Sequence, residues 1–140
     1  MPHIFSRLVP FTLYVTFFAI LLAACSTQSG PPMLRQEQTV DGITIGLEAA
    51  DSPKLNATQT FTITLVDAQG KPIDNASVYI DLLMSAMPMG SNRPVASNEG
   101  QGRYQVQYVY TMTGTWEVTV VAEVDGVEHR AVFPREVPEP

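Results

Sequence analysis

The chain has 140 residues and a formal net charge of −6, an acidic balance that repels nucleic acid and anionic headgroups and argues against both as partners. Its single cysteine leaves no internal disulfide to hold a fold together. About 95 residues of patterned sequence, enough for one ordinary core, lie between an apolar leader and a proline-rich end.

The leader reads MPHIFSRLVPFTLYVTFFAILLAAC. Arg7 supplies a positive start, Leu8 to Leu22 is apolar apart from Pro10 and two threonines, and small residues close the run. That is the form of an exported signal peptide over residues 1–24, and the run falls short of the roughly 20 residues a spanning helix prefers. Leu22-Ala23-Ala24-Cys25 resembles a bacterial lipoprotein box. The resemblance implies cleavage before Cys25, a lipid on its sulfur, and an extracytoplasmic domain anchored to a bacterial membrane; an uncleaved N-terminal anchor is the alternative. Losing Arg7 with the leader lowers the net charge to −7. Residues 25–38, which include STQSGPPMLRQEQ, are rich in Ser, Gln, Gly and Pro and read as a flexible tether. Residues 135–140 read as an irregular tail.

Between them, in the folded domain expected over residues 39–134, several segments alternate with period two, the mark of strands with one buried face. The apolar sets are Ile43, Ile45 and Leu47; Phe61, Ile63 and Leu65; Val78, Ile80, Leu82 and Met84; Tyr104, Val106, Tyr108 and Tyr110; and Trp116, Val118, Val120, Ala122 and Val124. VEHRAVF closes the series, and Asp125-Gly126 is a two-residue hairpin turn. Turn-rich DAQGKPIDNA and SNEGQG separate other strands. The predicted fold is all-β: one immunoglobulin-like antiparallel sandwich of about six or seven short strands. Trp116, the sole tryptophan, is the expected central plug. Across the Asp125-Gly126 turn, an inward Val124 places Val127, His129, Ala131 and Phe133 inward, with His129 opposite Ala122.

Three of the six methionines, Met84, Met87 and Met89, crowd into LLMSAMPMG. Methionine fills irregular gaps in cores, makes adaptable contact surfaces, and is a soft ligand for cuprous copper. Met84 continues an inward series and Met112 continues that of Tyr104, Tyr108 and Tyr110, so both are candidates for packing. Met87, Pro88 and Met89 fall in a loop and are the candidate interaction residues. Tyr79, Leu83 and Val109 lie opposite the core-facing series and are candidates to extend that patch.

MSAMPMG followed by GRYQVQYVYTMTGTWEVTV, and preceded by DAQGKPIDNASVYIDLLM, resembles the YtkA-like domain family from about Thr39 to Phe133. The resemblance implies an exported, membrane-linked, immunoglobulin-like domain, related to FixH-like proteins and to proteins near copper handling and cytochrome oxidase assembly. Many members carry a histidine just after the Met-Pro-x-Met-Gly turn, where this chain has Ser91 and Asn92. The copper reading therefore keeps only the thioethers of Met84, Met87, Met89 and Met112. The favoured expectation is a non-catalytic accessory domain that meets a membrane protein complex; cuprous copper binding or delivery is the alternative. No nucleophile elbow, H-E-x-x-H, phosphate loop or paired Cys/His spacing points to an enzyme.

Overall fold

The computed structural model describes residues 30–87 and 92–140. The leader, the lipid site at Cys25, and the loop residues Pro88 and Met89 lie outside the described residues. The described chain forms eight strands: β1 (Met33–Val40), β2 (Ile43–Ala50), β3 (Thr58–Val66), β4 (Ser77–Met84), β5 (Ser97–Gly100), β6 (Arg103–Val109), β7 (Gly114–Val124) and β8 (Val127–Val137). All pairings are antiparallel, in a five-stranded sheet of order β1-β2-β3-β6-β5 and a three-stranded sheet of order β4-β7-β8.

Alternation dictates the core. Ile45, Leu47, Phe61, Ile63, Leu65, Tyr104 and Val106 of the larger sheet meet Val78, Ile80, Leu82, Trp116, Val118, Val120, Ala131 and Phe133 of the smaller, all buried. Three hairpins turn on two residues in the left-handed region: Asp41-Gly42, Gln101-Gly102 and Asp125-Gly126. This backbone twist matches that of the flanking strands, and glycine adopts it without strain.

Four expectations change. Residues 33–40 form β1 rather than the end of a tether. Six of its eight side chains are exposed, so no alternation marks it in sequence; its ladder to β2 holds it. SNEGQG is a short edge strand, Ser97–Gly100, with a register shift between Asn98 and Gly100, and only Gln101-Gly102 make the turn. β8 runs to Val137, into the expected tail. Pro134 is tolerated there because Val132, of the same parity, points its N–H at the free edge, where Pro134 also places its nitrogen. Finally, Val127 is 56% exposed, at the hairpin tip beyond the core, while His129 faces inward opposite Ala122 as expected.

Side chains and a strap guard the sheet edges. Gln38 of β1 accepts a hydrogen bond from Val132 N–H and donates one to Val132 C=O, so its amide stands in for a neighbouring strand on β8. Residues 92–96 run along the free edge of β4: Ile80 N–H donates to Pro94 C=O, Leu82 N–H to Asn92 C=O, and Ala96 N–H to Val78 C=O. The chain then crosses to the other sheet as β5. On the outer face of the smaller sheet, Tyr79 pairs with fully buried Val121 and donates to Glu128. Arg93 sits 6.0 Å over the Tyr79 ring and pairs with Asp81.

Candidate functional site

One rung of the smaller sheet organises the methionine end. Met84, the last residue of β4, pairs with Trp116 at the start of β7, which pairs with Arg135 of β8. All three face the interior, Trp116 and Arg135 at about 5% exposure. Trp116 Nε1 donates to the carbonyl of Met112, 3.2 Å away, which fastens the β6–β7 connection over the indole. Gly114 has φ of 116°, and the Met84 methyl lies 3.0 Å from where a Gly114 Cβ would stand. Met84 and Met112 are both half-buried against the core. The chain then turns, with Met87 N–H donating to the Met84 carbonyl at 3.2 Å, and the Met87 side chain is 47% exposed.

The structure thus brings Met84, Met87 and Met112 to one end of the sandwich and divides their roles. Met84 packs and Met87 meets solvent. Because Met84 is half-buried, Met84→Ala should cost about 1–2 kcal/mol in urea unfolding, below the range for a fully buried side chain. Tyr79 and Leu83 do not form one patch with Val109. The first two lie on the outside of the three-stranded sheet, while Val109 belongs to the five-stranded one.

Beneath the methionines is an aromatic cluster. Tyr108 and Tyr110 stand edge-to-face at 5.4 Å, Tyr110 and Trp116 at 5.3 Å, and Tyr108 and Trp116 at 6.2 Å. Arg135 donates to the Ala50 carbonyl, while its Nε and the Tyr110 hydroxyl are buried without a hydrogen-bond partner among the described residues. Arg135 was not anticipated as a site residue, since prolines on either side disguised its strand. The signal was the continued alternation Ala131, Phe133, Arg135, Val137.

Burial pushes the Tyr110 phenol up to about 12, against a smaller downward pull from Arg135. Burial also raises Tyr108, with an Asn92 hydrogen bond opposing it. A phenol that binds its proton more tightly when folded stabilises the fold fully below its unfolded value of 10.0, and that stability is lost as pH rises through the folded value. Between pH 10 and about 12 the domain should therefore lose up to roughly 3 kcal/mol through Tyr110. Tyr110→Phe should flatten that part of the pH profile of urea midpoints; an unchanged alkaline slope would place the cause elsewhere.

The fit to cuprous copper is poor among the described residues. Thioethers suit the ion, but of the described candidates Met84 and Met112 pack against the core and Met87 faces water. His129 lies six positions from Arg135 along β8, roughly 20 Å from the methionine end. The buried cation of Arg135 is two strands away from Met84, across Trp116, and opposes a bound positive charge. No group of three or more His, Cys, Asp or Glu side chains suited to a metal occurs among the described residues.

No curated protein matches the chain. Among solved structures, the soluble domain of PmoD from Methylocystis sp. ATCC 49242 (Rockwell) is similar with a TM-score of 0.49 and 12% sequence identity, covering 73% of this chain and 96% of that one. The model of the YtkA-like family matches residues 37–121. That match runs from Glu37 in β1 to Val121 in β7, more than half of the chain and most of its sandwich, and the chain therefore belongs to the YtkA-like family.

Proposed function

We propose that this YtkA-like domain is a non-catalytic accessory module, tethered by a lipid on Cys25 to the extracytoplasmic face of a bacterial membrane. It meets a membrane protein complex through Met87, Pro88 and Met89. The observation that carries this reading is the exposure of Met87 beside a half-buried Met84. A flexible thioether in water, on a turn hydrogen-bonded to a packed strand end, offers an adaptable apolar contact on a firm base. Met87→Ser with Met89→Ser should leave the urea midpoint nearly unchanged, within about 0.5 kcal/mol of stability. The variant should also cease to co-purify with the membrane complex that retains the wild type. Equal retention of both proteins would remove this reading.

Cuprous copper binding through Met84, Met87, Met89 and Met112 is the second reading. Its support is that β4, the turn after it and the β6–β7 connection carry Met84, Met87 and Met112 to the same end of the sandwich.

A further inference from the structure

Among the described residues, a short stretch of β6 is a sheet edge with no guard. Gly102 and Tyr110 turn their carbonyls toward the β3 side, where they accept from Leu65 and Asn56. Gln105 turns its carbonyl the other way, where it accepts from Ser97 of β5. Parity then aims the N–H and C=O groups of Gln107 and Val109 at the β5 side. Pairing with β5 stops at Ser97 opposite Gln105. No described residue therefore pairs with these four backbone groups, and both side chains are exposed.

Elsewhere among the described residues the edges carry guards, and β5 itself is only four residues long with a register shift. Arg35 and Glu37 stud β1; Gln38 plugs β8, which also carries Pro134; and the 92–96 strap covers β4. Beside Gln107 and Val109 there is instead an open groove of about 510 Å³, lined by Thr58, Asn92, Pro94, Tyr108 and Thr111 as well as these two. Open edges without charge or proline template the addition of another strand.

We propose that this groove takes an extended, non-acidic peptide strand from a protein partner, added antiparallel to β6 at Gln107 and Val109. The chemistry selects that occupant. Two donors and two acceptors repeating roughly 6.8 Å apart are matched by an extended backbone. The lining carries no charged side chain on a chain of net charge −6, so an acidic strand is repelled and a basic one attracted. The inference rests on the reading of the domain as an interaction module, though not on its methionines.

The probe is the blocked peptide acetyl-Lys-Thr-Val-Thr-Val-Thr-Lys-amide, titrated at millimolar concentration into the full-length protein in detergent and followed by amide hydrogen exchange. Exchange should slow at Gln107 and Val109, with little change at Val106 and Tyr108, whose amides already face β3. Gln107→Pro removes one outward N–H without touching the β3 ladder and should weaken binding at least about tenfold. The wild-type exchange pattern tests the edge even if that variant folds poorly. Met87→Ser with Met89→Ser should leave peptide binding unchanged, so failure of the methionine contact and failure of the edge read separately. Unslowed exchange at Gln107 and Val109 would overturn the proposal. So would equal affinity of Gln107→Pro, or a peptide-free dimer that Gln107→Pro dissolves, which would assign the edge to a second copy.

Discussion

Trp116→Ala should destabilise the domain by about 3–5 kcal/mol, the range for removing a large buried aromatic. The indole is 5% exposed, stands edge-to-face with Tyr108 and Tyr110, and ties the β6–β7 connection through the Met112 carbonyl. Its loss opens a cavity at the middle of the rung from Met84 to Arg135 and releases the loop that carries Met112. Against a typical total stability of about 5–15 kcal/mol, that is a large fraction. The urea midpoint should fall steeply, and the variant should expose Met84 to oxidation. A midpoint near wild type would mean that the indole is not the plug of this end.

Gly102→Val should cost about 2–5 kcal/mol, by a different route. Gly102 has φ of 71° in the β5–β6 turn, a conformation that a β-branched residue adopts only with strain of about 1–2 kcal/mol. A Cβ there would lie 2.5 Å from the Leu65 carbonyl oxygen and 3.2 Å from Ile73 N. Those two atoms already share a hydrogen bond, and Leu65 N–H donates to the Gly102 carbonyl. The clash therefore falls on backbone that joins β3 to the β3–β4 connection, and overpacking adds about 1–3 kcal/mol. Gly126→Val, at a turn with open space around it, should lose only the conformational part. Equal urea midpoints for the two variants would contradict the clash.

The inner faces were legible in the sequence because alternation is written where one side of a strand is buried and the other wet. Ile45, Phe61, Ile80 and Val118 are where the pattern puts them. β1 was not legible, because a strand exposed on nearly all its positions leaves no pattern. Its signal was Asp41-Gly42, the same turn dipeptide as Asp125-Gly126. Val121 reads as an outer-face residue, yet it is fully buried because Tyr79 reaches across it to Glu128. At the methionine end, sequence phase separated Met84 from Met87 correctly. The Arg135 charge and the groove beside Gln107 depend on which strand ends where, and alternation does not encode that.

On the proposed function, the methionine end meets a protein partner rather than holding a metal. The most direct test is competition for cuprous copper between the full-length protein and a chromophoric cuprous chelator, in detergent and with reductant present. The protein should leave the chelator's copper untouched, and wild type and the Met87→Ser, Met89→Ser variant should be indistinguishable. Stoichiometric withdrawal of copper by the wild type, lost in the double variant, would contradict it and establish the methionines as ligands.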